Sequence, residues 1–181
     1  MTSDERNLIC DRLQSSLQLL FEEIEALTHS QWRFKPSERA WSIAQCVEHL
    51  AEVEGAVNDR IQALLLEGYS DPKLCAEAAG KDRLIGKAVP SRNRHAEAPQ
   101  QPAGSQVFAT PEPAGSAFKD VRARTLQFAQ STQHDLEKYV TPHFVFGQLN
   151  IFQWLFMLSL HCERHLAQIK EVKAAPAFPQ A

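Results

Sequence analysis

Three long apolar runs at helical spacing in this chain each open on a small polar residue followed three positions later by Glu or Gln: Thr2 with Glu5, Ser42 with Gln45, and Asn150 with Gln153. Such a pair satisfies backbone N–H groups that the first turn of a helix leaves without partners, so each marks a helix start. The runs behind them set the architecture. After Thr2, the spacing of Leu8, Leu13, Leu17, Leu20, Ile24 and Leu27 predicts a first helix that stops near His29. Behind Ser42, the residues Cys46, Leu50, Val53, Val57, Ile61 and Leu64 recur in steps of three or four. They predict a second helix from Ile43 to about Leu66, ending before Gly68, with Trp41 and Cys46 placed to staple across its cap. A third helix is expected from about Ala117 to Tyr139, carrying Phe118, Val121, Phe128 and Leu136. The fourth follows Asn150, from Ile151 to about Val172, and Pro176 and Pro179 end it.

With only 7 glycines and few alternating runs, the sequence reads as all-α: a four-helix bundle with a long crossover between helices 2 and 3. The bundle domain is expected over residues 1–173, with a C-terminal tail over 174–181. Residues 31–40 and 141–147 read as connections. The crossover, Pro90 to Ser116, contains Pro90, Pro99, Pro102, Pro111 and Pro113 with Gly104 and Gly115, which argue against a continuous helix. A connection of that length either covers a site or is a passive linker. Near its start Arg92, Arg94 and His95 offer recognition groups for an acidic substrate or a thiol cofactor.

Charge and cysteine usage narrow the function. With 19 Lys plus Arg against 22 Asp plus Glu, and no basic run, nucleic-acid binding by phosphate neutralisation is disfavoured. The longest stretch without Asp, Glu, Lys or Arg, Tyr139 to Cys162, is broken by Pro142, His143, Gly147, Gln148, Asn150 and Gln153, unlike a membrane span. Cys10, Cys46, Cys75 and Cys162 form no CxxC pair, and no export signal opens the chain, so a cytoplasmic location without disulfides is expected.

The chemistry concentrates on the fourth helix. His161 and His165 are one turn apart and project from one face, as two ligands of a divalent cation must. Trp154, Leu158, His161, His165 and Gln168 form one stripe, so the imidazoles are expected to point inward. Open metal sites commonly take three protein ligands, and His49, midway along the second helix, is the best third. Glu52, three residues after His49, is the best carboxylate for a base. Gln168 is placed to orient an imidazole or bond a bound water. Glu163 points away, and His-x-Glu-x-His is not the His-Glu-x-x-His arrangement of zinc proteases. Cys46 and Cys162 read as buried apolar fillers. Trp154, on the histidine stripe, reads as core or the wall of a pocket. His29, His95, His134 and His143 are expected at the surface.

The segment Trp41-Ser42-Ile43-Ala44-Gln45-Cys46-Val47-Glu48-His49-Leu50, followed by His161-Cys162-Glu163-Arg164-His165-Leu166-Ala167-Gln168-Ile169, resembles the DinB-like family of small metal-binding bundles. Phe146-Gly147-Gln148-Leu149-Asn150 is similar to the same family. The resemblance implies a divalent transition metal, nickel or zinc, on His49, His161 and His165. It also implies a homodimer, and an enzyme that acts on a small-molecule substrate as a hydrolase or as a transferase using a low-molecular-weight thiol. It carries no nucleic-acid or membrane role. The competing expectation is a noncatalytic bundle that only holds a metal or ligand.

Overall fold

The structure is a computed structural model and describes residues 1–91 and 108–180. Its helices are α1 (Ser3–Ile24), α2 (His29–Arg33), α3 (Ile43–Glu67), α4 (Pro72–Ala78), α5 (Asp82–Ala88), α6 (Pro111–Ser131) and α7 (Ile151–Lys173). The long helices α1, α3, α6 and α7 pack into the four-helix bundle. No helix among the described residues is long and apolar enough to cross a membrane.

All three expected capping boxes form. The side chains of Thr2, Ser42 and Asn150 accept from the backbone N–H of Glu5, Gln45 and Gln153 at 3.2, 3.2 and 2.9 Å. Gly68 ends α3 at φ 90°, a backbone conformation that favours glycine. Behind the caps, one buried layer gathers Leu20, Ile24, Trp32, Leu50, Phe118, Cys162 and Ile169, and another gathers Ile9, Leu13, Val57, Ile61, Leu136 and Leu155.

The structure departs from the sequence expectations in the connections. The third bundle helix begins at Pro111, not near Ala117, and ends at Ser131, not at Tyr139. Pro111 and Pro113 occupy its first turn, where a missing N–H breaks no intrahelical bond, so prolines read as breakers here open the helix. The first helix stops at Ile24, and the next residues form a separate turn, α2, capped by Thr28 and Gln31. Two short helices, α4 and α5, fill the stretch between the end of α3 and Pro90, before the crossover begins.

Residues read as a break hold a small antiparallel hairpin, β1 (Val140–His143) and β2 (Gly147–Asn150), preceded by a 3₁₀ turn at Leu136–Lys138. A three-residue loop joins the strands and closes on Gly147 at φ 65°. Asn150 both ends the hairpin and caps α7. Gln153 completes that cap and donates from Nε2 to the Ala78 carbonyl at 2.8 Å, so α4 fixes the entry of the histidine-bearing helix. Beyond α7 the tail turns back: Phe178 meets Phe34 edge-on, and Gln31 donates to the Pro179 carbonyl at 3.0 Å.

Candidate metal centre

One turn of α7 separates His161 from His165, and their Nε2 atoms lie 3.1 Å apart. From α3, His49 brings its ring centroid to 5.1 Å from that of His161 and 5.0 Å from that of His165. One ligand atom from each of the three rings lies within 4.8 Å of the other two. Nitrogens bound at ~2.0–2.1 Å to one cation stand at most ~4 Å apart, so the donor set fits a shared ion after small ring rotations. Three neutral nitrogens from two facing helices also leave coordination positions open.

Burial makes these rings ligands rather than bases. It pushes His49 down to about 4 and His161 down to about 3. For His161 the nearby charges of His49, Arg164, Arg122 and His143 act in the same sense. His165 is lowered well below the ordinary histidine value by burial first, and then by His161 and His49. At neutral pH all three therefore present lone pairs, and binding a cation displaces no proton from an imidazolium.

The rim is less closed. Trp41 stacks on His165 with centroids 5.7 Å apart and planes 15° apart, and meets His49 edge-on at 5.0 Å. It also packs on the buried layer that contains Cys46. Glu52 is exposed on α3, one turn after Glu48. Glu48 itself is 4 % exposed and accepts from the Phe108 N–H at 3.2 Å; burial pushes its carboxyl up, and the charge of Glu52 adds to the rise. Gln168 is half-buried, and its side chain favours the charged form of His165. The described ends of the crossover meet the neighbours of the ligands: Arg164 donates to the Ser91 carbonyl, and Phe108 holds Glu48. The segment weighed as a cover or a linker, with Arg92, Arg94 and His95, falls mostly outside the described residues.

Other side chains separate from this chemistry. Cys162 is buried, donates to the Ser16 carbonyl at 3.5 Å, and has its thiol pushed up to about 11 by burial, unsuited to act as a nucleophile. Cys46 is buried as well. Glu163 turns outward to Arg12 at 2.7 Å. His143, expected at the surface, is instead half-buried among Phe144, Phe146 and Trp154, because the hairpin folds its ring onto α7. Trp154 thus packs against the hairpin histidine.

Sequence reasoning missed a second polar cluster. Arg122 is fully buried and donates from Nε and Nη2 to Glu54 at 2.8 and 2.7 Å, and from Nη1 to the Leu13 carbonyl and the Ser16 hydroxyl. Thr125 donates to Glu54 at 2.6 Å. The available signal was a charged residue breaking an apolar stripe: Glu54 between Leu50 and Val57, and Arg122 between Phe118 and Ala129.

Comparison with known proteins agrees with the fold. The sequence profile of the DinB superfamily matches residues 12–169. The uncharacterised protein YuaE of Bacillus subtilis (strain 168) is 28 % identical over 154 residues, covering 84 % of this chain and 90 % of that protein. Among solved structures, YfiT from Bacillus subtilis superposes with a TM-score of 0.65 at 18 % identity, covering 96 % of this chain and 88 % of that one. YfiT is described as "a probable metal-dependent hydrolase with an unusual four-helix bundle topology".

Proposed function

This chain belongs to the DinB superfamily, and on that footing we propose that it is a divalent-metal-dependent hydrolase of a small electrophilic molecule, with a low-molecular-weight thiol able to take the place of water as nucleophile. The observation that carries the reading is the convergence of His49 and His161, half-buried, with buried His165 from two helices, all three neutral. The description of YfiT points the same way. Nickel or zinc suits an all-imidazole set.

A cation held there supplies Lewis acidity, lowering the pKa of a water or thiol that reaches it. The chain supplies the rest. His49, His161 and His165 hold the ion, and their low proton affinity keeps them available as ligands at neutral pH. Glu52, exposed and three residues beyond His49, takes the proton from the incoming nucleophile and passes it to solvent. The Gln168 amide, beside His165, orients the nucleophile or substrate by hydrogen bonding. Trp41 and the apolar layer beneath it exclude water from the inner side of the site.

The test is turnover of an ester, amide and alkyl-electrophile panel, with and without added thiol, by apo and nickel- or zinc-loaded protein. Metal-dependent turnover is expected, with Glu52→Gln lowering kcat by about 10²–10⁴-fold at unchanged metal content. Metal binding without turnover on any substrate, or full activity of Glu52→Gln, contradicts the reading.

A further inference from the structure

The orientation of a metal-binding imidazole is ordinarily fixed from its far nitrogen, which donates to a carboxylate, a carbonyl or a water. His165 departs from that pattern. Its Nε2 faces His161 at 3.1 Å, while its Nδ1 is buried and no protein group hydrogen-bonds to it. The Gln168 side chain interacts with the His165 ring by hydrogen bonding and favours its charged form, yet Nδ1 itself has no partner in hydrogen-bond geometry. His161 and His49 meet the ring edge-on at 4.6 and 5.0 Å, and the neighbour stacked on its face is Trp41, whose indole lies nearly parallel to it, 15° between planes at 5.7 Å.

The same indole touches the other ligand helix. It meets His49 edge-on, 77° between planes at 5.0 Å, and so contacts one imidazole from α3 and one from α7. Its backbone position is fixed, because the next residue is Ser42, the N-cap of α3, whose hydroxyl and backbone N–H are both engaged with Gln45. Its side chain is anchored against the layer of Leu50, Cys162 and Ile169. A rigid plane held at both ends restricts the rotation of a ring stacked on it about χ2, as a hydrogen bond to Nδ1 would.

We propose that Trp41 is the positioning residue of the metal centre: its indole, stacked on His165 and abutting His49, holds the imidazoles in the orientation that lets their nitrogens share one cation. The proposal rests on the metal-binding reading above. Trp41 replaces the missing hydrogen bond with a surface, and loss of its flat face frees the His165 ring even where the apolar volume is kept.

The experiment titrates the full chain with Co²⁺ and follows the visible d–d bands, alongside the thermal midpoint of the apo protein. The chains compared are wild type, Trp41→Phe, Trp41→Met, and Trp41→Met combined with Gln168→Glu. Trp41→Met is expected to weaken Co²⁺ binding by about tenfold or more and to alter the band pattern, with the apo midpoint little changed. Trp41→Phe, which keeps a stackable face, is expected to bind nearly as wild type. Gln168→Glu, by giving Nδ1 a carboxylate to bond, is expected to restore most of the loss.

Unchanged affinity and bands in Trp41→Met overturn the proposal, as does a loss that Gln168→Glu leaves intact. Should Trp41→Met not fold, the Phe variant decides: a folded Trp41→Phe with tenfold weaker binding contradicts stacking as the operative feature, and near-wild-type binding supports it. Wild type that binds no Co²⁺, or binds it equally after His165→Ala, takes down the metal centre itself and Trp41's role with it.

Discussion

Two buried polar clusters sit in the same bundle, and they are built in opposite ways. The Glu54–Arg122 cluster is closed: the guanidinium meets the carboxylate, a carbonyl and a hydroxyl, and none of its side-chain nitrogen or oxygen atoms is left without a partner. It draws on α1, α3 and α6, and the Ser16 carbonyl ties in Cys162 of α7. The histidine cluster is open. Its nitrogens face one another, with a single shared hydrogen bond between His161 and His165, and Nδ1 of His165 has no protein partner. The chain satisfies a buried charge fully in one cluster and in the other gathers three neutral donors, a set that could hold a metal ion.

The largest expected effect breaks the closed cluster. Arg122→Met leaves the Glu54 carboxylate buried and unpaired, and should lower unfolding stability by ~3–5 kcal/mol in urea denaturation. Adding Glu54→Leu should recover most of that loss, since an apolar pair of similar volume often matches a buried ion pair. No recovery would mean that the cluster holds the bundle by more than charge balance.

A smaller loss is expected from Thr125→Val, which keeps the shape but removes the 2.6 Å donor to Glu54, costing ~1–3 kcal/mol by the same measurement. The difference from Arg122→Met separates a lost hydrogen bond from an uncompensated charge.

The smallest effect lies at the surface. Lys173 donates to Glu23 at 2.6 Å, and that hydrogen bond is the chief cause holding the Glu23 carboxyl below the usual range. A depressed folded-state pKa adds stability that is full above the unfolded value of ~4.3 and lost as pH falls through the folded one. Lys173→Met should therefore cost ~0.2–1 kcal/mol at pH 7, and the gap should close on acidification below pH ~4. A gap that persists at pH 2 would assign the loss to packing of the Lys173 stem and to its 3.1 Å hydrogen bond to the Glu23 carbonyl, neither of which titrates with the carboxyl.

What the sequence made legible follows the range of each interaction. Three of the four bundle helices, α1, α3 and α7, announce themselves through local signals, the capping pairs Thr2–Glu5, Ser42–Gln45 and Asn150–Gln153 and the apolar steps behind them. Pro111 and Pro113 misled because a proline's effect depends on its position in a turn, and that position is visible only once the helix start is known. The hairpin hid in four-residue strands, too short for alternation to register.

In the site, His161 and His165 were legible from their spacing alone, while joining them to His49 needed the bundle to face α3 toward α7. Trp41 reads locally as a staple, because nothing near it in sequence reveals that its ring meets two imidazoles. Glu54 and Arg122 are 68 residues apart, and only the packing of α3 on α6 makes them a pair.

The account stands most directly on metal stoichiometry. Full-length protein equilibrated with nickel or zinc, freed of excess ion and measured by elemental analysis, should carry a single ion per chain, falling to near zero in His49→Ala, His161→Ala and His165→Ala while circular dichroism stays helical. Undiminished metal content in any of the three variants, or none in the wild type, would contradict it.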